Sequence, residues 1–382
     1  MTRVLLAPNA LKGSLSAVQI VNTIQKHPDF LAGSIGIIPE ELELVSVPVA
    51  DGGDGMLDIL SQQWPQAIRM DATVSGPLSG QRVTAPALFR QNQNQLVLES
   101  ALANGLALCA SQQHPLQATS YGVGQLLSQM LQSCSEVRQV VLGLGGSAST
   151  DGGLGALQAL GLQAFRQDNS LITTPIGGGA LAEIHSLDWS FLGVWPQNLE
   201  TVIATDVTNP LLGPQGAARV YAPQKGAHPQ ACDQLEAGLT HIHRLIAQAQ
   251  SVDHSRTPGS GAAGGLAYGL LQLPGSRIVS GFAWLSDQLG LAAKVAQADL
   301  IITAEGCLDE TSFQGKAVGE LIRLAAGKPV WVLCGRVDPN VMPMLPQNVR
   351  CLPFDAVMSP DEAMTDPQKA ITETLKHSPQ RR

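Results

Sequence analysis

Short apolar runs alternate along this chain with stretches whose apolar residues recur every three or four positions. The apolar runs lie at residues 3–7, 44–49, 140–144, 298–303 and 329–334. Each has the length and composition of a buried strand, whereas the stretches after residues 16, 153 and 316 have the spacing of helices buried on one face. Strands that alternate with amphipathic helices predict a parallel sheet covered on both sides.

Two intervals of the chain break this alternation. Residues 73–117 and 165–282 contain short β-rich runs separated by turns and prolines, with few long helices. We therefore predict an α/β fold of two domains, in which these two intervals form a second α/β domain. The first domain is predicted to be discontinuous and to comprise residues 1–72, 118–164 and 283–382.

Composition narrows the class of protein. The chain has 382 residues, of which 14% are charged and 44% apolar, and its 39 glycines favour a globular α/β enzyme. A net charge of −8 without a Lys/Arg cluster argues against a nucleic-acid partner. No segment resembles a signal peptide or a membrane span, and the six cysteines form no Cys-x-x-Cys pair. We predict a cytoplasmic protein with reduced cysteines and no membrane partner.

The glycine-rich segment at residues 143–153, GLGGSASTDGG, lies between a predicted strand and a predicted helix. Backbone N–H groups in such a loop favour anions, phosphate above all. A plain tight turn is the alternative. The P-loop sequence is absent, and the segment lacks the third glycine of the dinucleotide-binding fingerprint in register.

Carboxylates follow two further strands. Asp51 and Asp54 lie in the sequence DGGDG, where they would suit Mg²⁺ or accept a proton from a substrate hydroxyl. Asp206 and Asn209 follow an apolar run and would suit a metal or substrate hydroxyls. Turn and capping roles are the alternatives at both places.

Charged residues also accompany the last glycine-rich segments. Glu305 and Asp309 flank a glycine after a strand, and Lys316 follows Gly315. Lys225 adds a cation on a turn that contains Pro223. A lysine beside a glycine-rich loop suits a transferring phosphoryl group, since a point cation stabilises charge spread over its oxygens.

Taken together, these segments resemble the bacterial glycerate kinase family of type I, which phosphorylates D-glycerate. The matching segments are residues 7–16 (APNALKGSLS), 50–55 (ADGGDG), 145–148 (GGSA), 151–153 (DGG), 206–211 (DVTNPL), 223–227 (PQKGA), 261–265 (GAAGG), Glu305 with Gly306, Asp309, and Gly315 with Lys316. The resemblance implies a flavodoxin-like parallel-sheet domain that carries an inserted, mixed-sheet α/β domain, with the active-site cleft between them. It also implies ATP and Mg²⁺ as cofactors and a monomer or homodimer.

The resemblance, together with the chemistry of these residue types, assigns candidate roles within the matching segments. The catalytic candidates are Asp51, Lys12 and Asp206, and the metal ligands are Asp309 and Asp54. The candidates for nucleotide binding are Gly145, Gly146, Ser147, Ser149, Asp151, Gly152, Glu305 and Lys316. The candidates for substrate binding are Asn9, Ser14 and Asn209. Which carboxylate is the base and which binds metal stays open.

One departure from the family pattern lies at Cys307, where the family usually has arginine. The change removes a guanidinium that binds anions in a planar fork. We expect Cys307→Arg to leave activity equal or to raise it.

The expected product is 2-phosphoglycerate. The alternatives are a kinase that forms 3-phosphoglycerate, a non-catalytic sensor of sugar acids or nucleotides, and a nucleotide-dependent dehydrogenase. The dehydrogenase is disfavoured because no ribose-binding acid follows the loop at the required distance.

Overall fold

The computed structural model of the chain describes residues 1–11, 13–53, 55–109, 113–193, 195–313 and 315–377. The strands are β1 (Thr2–Leu6), β2 (Leu42–Ser46), β3 (Ile68–Ser75), β4 (Arg82–Arg90), β5 (Gln95–Glu99), β6 (Gln139–Gly143), β7 (Gln163–Phe165), β8 (Ser186–Asp188), β9 (Glu200–Ala204), β10 (Ser276–Val279), β11 (Leu300–Leu308), β12 (Val330–Val337) and β13 (Val349–Pro353). The helices are α1 (Ala17–Gln25), α2 (Pro28–Ile35), α3 (Met56–Gln63), α4 (Ala101–Asn104), α5 (Tyr121–Ser133), α6 (Leu154–Leu160), α7 (Ala217–Tyr221), α8 (Pro229–Ala249), α9 (Ala262–Leu270), α10 (Gly281–Leu289), α11 (Leu291–Gln297), α12 (Ala317–Leu324), α13 (Pro360–Thr365) and α14 (Pro367–His377).

The chain divides into two compact units. We call them the parallel unit (Met1–Asp51, Asp58–Gln63 and Phe282–Arg382) and the mixed unit (Gly52–Leu57 and Trp64–Gly281). The strands of the parallel unit form a five-stranded sheet in the order β13-β12-β11-β1-β2, and each adjacent pair is parallel. Numbered along the chain within the unit, the order is 2-1-3-4-5, which is that of flavodoxin-like sheets. The predicted flavodoxin-like fold is confirmed.

The elements of the parallel unit follow from its sequence pattern. Residues Leu300–Glu305 of β11 are buried without interruption, as expected for a strand covered on both faces. Helix α1 begins where the side chain of Ser16 accepts from the backbone of Gln19 and the side chain of Gln19 accepts from the backbone of Ser16, a capping box. Ile20 and Ile24 of α1 pack into a core with residues of β1, β11, β12 and α14. The predicted apolar stripe of α1 therefore lies against this sheet.

The mixed unit contains a six-stranded sheet in the order β10-β9-β6-β5-β4-β3. Strands β5, β6, β9 and β10 run parallel, whereas β3 and β4 pair antiparallel beside β5. Strand β3 alternates between exposed and buried residues, which is typical of an antiparallel strand at a sheet edge. The predicted mixed-sheet second domain is confirmed as a fold class.

The two units differ from the predicted domains in several segments. Residues 118–164 were expected in the first domain, but they lie in the mixed unit. The reason is strand pairing, because β6 pairs with β5 on one side and β9 on the other. The segment 64–72, also expected in the first domain, belongs to the mixed unit because β3 pairs with β4. The return to the parallel unit at Phe282 lies one residue from the predicted position.

Two further observations concern the whole described chain. All six cysteines are free thiols, as the sequence predicted. Among the described helices, none combines the length and the apolar character that a membrane crossing requires.

Candidate functional site

Predicted site residues of the parallel unit meet at the carboxyl ends of β1, β2 and β11. Asn9 follows β1, and its backbone N–H donates to the carbonyl of Ala304 in β11 at 3.2 Å. Its amide Nδ2 donates to Oδ2 of Asp51 at 3.2 Å. The order of the sheet reverses between β1 and β11, and ligands of such folds bind outside the carboxyl ends at that reversal.

Asp51 is held from two sides. While Oδ2 accepts from Asn9, Oδ1 accepts from the backbone N–H of Ala317, the first residue of α12, at 2.8 Å. A carboxylate that accepts from a helix N-terminus is favourably placed. Asp51 therefore fixes α12 and the segment after β1 relative to each other.

Glu305 differs from Asp51 in having an unpaired oxygen. The residue is 8% exposed, and its Oε2 is buried without a hydrogen-bond partner among the described residues. Burial, together with the charges of Asp51 and Asp309, raises the pKa of Glu305 to about 6 against the opposing effects of the Ser312 hydroxyl and the charge of Lys316. A buried oxygen without a partner is costly, which points to a ligand or proton at this position.

Asp309 and Lys316 complete this group. Oδ1 of Asp309 accepts from the backbone and hydroxyl of Thr311, at 2.9 and 2.6 Å, and from the backbone of Ser312. Burial raises the pKa of Asp309, but these hydrogen bonds and the charge of Lys316 outweigh it, so the pKa is lowered. The amine of Lys316 donates to Oγ1 of Thr311 at 2.6 Å and lies 3.7 Å from Oε1 of Glu305.

We call Asp51, Glu305, Asp309 and Lys316 the acidic cluster. Within the part of the chain that the structure describes, no three His, Cys, Asp or Glu side chains are placed to hold a metal ion together. Mg²⁺ usually takes only one or two carboxylates when phosphates supply further oxygens, so a preformed cage is not required. The carboxylates raise the pKa of Glu305 through mutual repulsion, and a cation bound among them would relieve it.

Cys307 has a cation beside it. Cys307 of β11 pairs in register with Arg336 of β12, and Nε of Arg336 donates to Sγ at 3.4 Å. This contact raises the pKa of Arg336. The neighbouring strand therefore places a guanidinium beside Cys307, while the expected effect of replacing the family's arginine stays a prediction.

Ser14 lies in the loop that precedes α1. Its backbone N–H donates to the carbonyl of Leu11 at 2.9 Å. Its Oγ is buried and has no partner among the described residues. Lys12 and Asp54, a predicted catalytic residue and a predicted metal ligand, lie outside the described residues.

In the mixed unit the loop at residues 143–153 is tied to its surroundings by its own backbone. The N–H of Ala148 donates to the carbonyl of Asn104 at 2.8 Å, and that of Gly152 donates to Gly264 at 3.1 Å. Helix α6 after the loop has seven residues, and the residue that precedes it, Gly153, has a left-handed backbone conformation. These backbone N–H groups are already paired within the protein, so fewer donors of the loop remain for an anion than the sequence suggested.

Lys225, predicted as a cation on a turn with Pro223, contacts this loop. It is 3% exposed, and its amine donates to Oγ of Ser147 at 3.0 Å and to the carbonyl of Ser149 at 2.6 Å. Burial lowers the pKa of Lys225 to about 7, although the charge of Asp151 opposes the shift. The sequence indicated only that Lys225 lies on a turn with Pro223. Its contacts with the loop could not be predicted, because its partners are more than 70 residues away in the sequence.

Two predicted nucleotide ligands turn out to be internal supports. Asp151 is fully buried, where Oδ2 accepts from the backbone and hydroxyl of Ser120 at 2.7 and 2.8 Å and Oδ1 accepts from Gly153. Burial raises the pKa of Asp151 against these hydrogen bonds. Ser149 is also fully buried, and its Oγ accepts from the amide of Asn104 at 2.8 Å. Both residues hold the loop in place and present no surface to a ligand.

A close backbone approach also shapes the loop. Ala263, Gly264 and Gly265 all have left-handed backbone conformations, with φ of 53°, 70° and 85°. A Cβ on Gly264 would lie 2.1 Å from the carbonyl oxygen of Ser149. Glycine at position 264 is therefore required both by its φ and by its distance from the loop.

The predicted pair Asp206 and Asn209 follows β9. Oδ1 of Asp206 accepts from the hydroxyl of Ser280 at 2.7 Å. Asn209 donates to the carbonyl of Gln215 at 2.8 Å and accepts from the hydroxyl of Tyr221 at 2.5 Å. Both ends of the Asn209 amide are engaged, so the structure corrects its predicted role to support of the turn, while Asp206 is partly exposed.

Comparison with known proteins agrees with the resemblance seen in the sequence. The profile of the glycerate kinase family matches residues 4–379. The glycerate 2-kinase of Escherichia coli K12 is 35% identical over 342 residues, which are 89% of this chain and 86% of that protein. The glycerate kinase of Bacillus subtilis 168 is 35% identical over 315 residues, covering 82% and 79%.

A solved structure agrees as well. The crystal structure of a glycerate kinase 2 from Salmonella typhimurium LT2 is similar with a TM-score of 0.76 and 30% sequence identity. The likeness covers 98% of this chain and 96% of that one. The family resemblance, the fold class and the enzyme class predicted from the sequence are confirmed.

Proposed function

This chain belongs to the glycerate kinase family, and we propose that it transfers the γ-phosphoryl group of ATP to the 2-hydroxyl of D-glycerate. The products are ADP and 2-phosphoglycerate. The name of the Escherichia coli relative, glycerate 2-kinase, supports the 2-hydroxyl over the 3-hydroxyl. The structural observation that carries the proposal is the unpaired, buried oxygen of Glu305 with the amine of Lys316 nearby.

Glu305 is the group that we propose to accept the proton of the attacking hydroxyl. Its pKa of about 6 keeps most of the side chain deprotonated at neutral pH and still basic enough to take a proton. Asp51 was the sequence-based candidate, but both of its oxygens already accept hydrogen bonds. We assign Asp51 to holding Asn9 and α12, and Asp206 stays an alternative acceptor.

Lys316 supplies positive charge for the transferred group. Its amine is held by Thr311 and is partly exposed, so it can reach an anionic oxygen without losing its own support. As the hydroxyl oxygen attacks the γ-phosphorus, the bond from phosphorus to the bridging oxygen breaks and ADP leaves. Charge spreads over the phosphoryl oxygens in that transition state, and a positioned cation stabilises it.

Asp309 is the described residue best suited to a magnesium ion. Its Oδ1 accepts three local hydrogen bonds, which fix the carboxylate and keep it ionised. When bound, Mg²⁺ neutralises phosphate charge and orients the β- and γ-phosphate oxygens. That the enzyme uses Mg²⁺, and that Asp54 is a second ligand, are proposals.

The mixed unit contains its own candidate for anion binding, the loop at residues 143–153. Gly145, Gly146 and Ser147 are its members that we retain as anion-binding candidates, with Ser147 oriented by the amine of Lys225. The small-molecule substrate follows from the family, whereas a cytoplasmic location, a monomeric or homodimeric state and the absence of a nucleic-acid partner stay predictions.

A coupled assay of ADP release tests the proposal. D-glycerate with ATP should release ADP, and an enolase coupled without a mutase should consume the product only if the phosphate is on the 2-hydroxyl. A product that enolase ignores would indicate the 3-phosphate. Binding without any ADP release would indicate a sensor.

Two variants connect this assay to the site. Glu305→Gln should lower kcat by about 10²- to 10⁴-fold, the usual contribution of a general base. Glu310→Gln is the matched control, since Glu310 is exposed on the same turn and should retain wild-type activity. If Glu305→Gln keeps more than a third of the wild-type kcat, Glu305 is not the base.

A further inference from the structure

The parallel unit contains a cavity next to the acidic cluster that the proposed reaction does not use. Its volume is about 260 Å³. It is lined by Leu11, Ser14, Gly306, Gly335, Arg336, Phe354, Asp355, Pro360, Ala363, Met364 and Pro367. We propose that this cavity, which we call the base cavity, binds the adenine ring of ATP.

Its position fits a nucleotide whose phosphates lie at the acidic cluster. Gly306 directly follows Glu305 in β11, and Leu11 lies two residues beyond Asn9. Leu11, Gly306, Gly335 and Arg336 place part of the lining near the carboxyl ends of β1, β11 and β12, the edge of the sheet where ligands of this fold bind, and residues 354–367 supply the rest. Arg336 also interacts electrostatically with Asp309 of the acidic cluster.

Its size and walls fit one flat, largely apolar ring. Small-molecule pockets that hold a complete ligand usually measure about 300–1,000 Å³, so 260 Å³ suits a part of a nucleotide. The walls are mainly apolar, and Met364 adds a polarisable thioether of the kind that packs well against aromatic rings.

Gly306 keeps one side of the cavity open. A Cβ on Gly306 would have no atom within 4 Å, so this part of the strand faces empty space that has room for a planar group. Gly335 has a different role, because a Cβ there would lie 2.6 Å from the carbonyl oxygen of Gly306. The lack of a side chain at Gly335 therefore lets the backbones of β11 and β12 approach closely.

The polar groups of the cavity favour a neutral ring over an anion. The hydroxyl of Ser14 is buried without a partner among the described residues, so a ring nitrogen would satisfy it. Arg336 and Asp355 both belong to the lining, and their opposite charges leave no net preference for an anion. An acceptor such as Asp355 suits the exocyclic amino group of adenine better than the carbonyl of guanine.

Ser14→Ala gives the cleanest test. Because the hydroxyl has no protein partner, its removal should leave the thermal unfolding midpoint unchanged or raise it. The same change should weaken ADP binding by about two- to tenfold, the worth of one neutral hydrogen bond. Binding of inorganic tripolyphosphate, which has no base, should be unchanged. Ser61→Ala, which removes an exposed hydroxyl of the same unit, is the matched control.

Ala363→Leu tests the volume of the cavity. The added carbons should weaken ADP binding by about tenfold, since overfilling a packed space usually changes an equilibrium by at least that factor. Ala293→Leu on the exposed side of α11 is the matched control. Isothermal titration of ADP and tripolyphosphate, together with the KM for D-glycerate, measures all four variants. ATP should also be preferred over GTP as the phosphoryl donor.

Unchanged ADP binding in both folded cavity variants would overturn the proposal. Equal weakening of ADP and tripolyphosphate would also overturn it, because the variants would then act on the phosphates. A raised KM for D-glycerate with unchanged ADP binding would assign the cavity to the substrate instead. The inference rests on the proposed role of the acidic cluster, but the tests are separable. If Glu305→Gln stays active while Ser14→Ala loses ADP affinity, the proposed base fails and the adenine site stands.

Discussion

The buried amine of Lys225 should make the stability of the protein depend on pH in the alkaline range. Burial lowers its pKa from 10.5 to about 7, whereas in the unfolded chain the amine is exposed to water. Between these two values the unfolded state binds more protons than the folded state. The free energy of unfolding therefore rises with pH from about 7 toward 10.5. Below pH 7 the amine is protonated in both states, so it adds no pH dependence there.

The size of this effect follows from the two pKa values. The full difference corresponds to about 5 kcal/mol at about 1.4 kcal/mol per pH unit. Between pH 6.5 and 9.5 the linkage relation gives about 3 kcal/mol, because the titration is incomplete at both limits. Lys225 is 3% exposed, so solvent screening does not reduce this value substantially.

Lys225→Met isolates this contribution. It keeps the length and apolar stem of the side chain and removes the titrating amine. The difference in unfolding free energy between wild type and Lys225→Met should therefore grow by about 3 kcal/mol from pH 6.5 to 9.5. Urea unfolding followed by circular dichroism at three pH values measures it, and other titrating groups largely cancel in the difference.

Lys328→Met is the matched control. The amine of Lys328 also donates to two backbone carbonyls, those of Ala296 and Ala298, but its side chain is only half-buried. Its difference from wild type should stay nearly constant with pH. If the difference in unfolding free energy between wild type and Lys225→Met is also constant with pH, the amine of Lys225 is exposed to water in solution. The proposed buried contact with Ser147 would then be wrong.

Three further predictions concern the acidic cluster and the neighbouring Cys307. The kcat/KM of the wild type should fall as pH drops below about 6, because Glu305 then holds a proton and cannot accept another. If the residual activity of Glu305→Gln falls in the same pH range, Glu305 is not the titrating group. Cys307→Arg should raise the KM for ATP or D-glycerate several-fold, since it places a second guanidinium beside Arg336, and an unchanged or lower KM would restore the earlier expectation. Asp51→Asn should lower both kcat and the thermal midpoint, since it weakens the contacts to Asn9 and α12, and a loss of kcat with an unchanged midpoint would return Asp51 to direct chemistry.

The elements of the fold were largely predictable from the sequence. The stripe after Ser16 has a clear helical period and the strand before Glu305 is a continuous apolar run, and the structure forms both where expected. Pairing between strands was not predictable in the same way. Strand β6 is equally apolar on both faces, so its pattern fits any buried position, and only the hydrogen bonds to β5 and β9 assign it to the mixed unit.

The candidate site was predictable as a set of residue types, but their individual roles were not. Asp51, Glu305 and Asp309 are all carboxylates that follow or end strands, and nothing in their local sequence separates them. Their environments do, because Asp51 accepts at both oxygens, Asp309 accepts from its own turn and Glu305 retains an unpaired oxygen. Burial and pairing with distant residues decide a carboxylate's chemistry, and neither is local.

Cys307 shows why a departure from a sequence pattern does not by itself remove a function. In a parallel sheet, residues paired in register present their side chains on the same face, so a charge can come from either strand. The register that pairs Cys307 with Arg336 places a guanidinium next to the thiol, although 29 positions separate the two residues. A guanidinium therefore lies beside the thiol although position 307 is not an arginine, and we expect Arg336→Ala to lower kcat/KM more than Cys307→Ala.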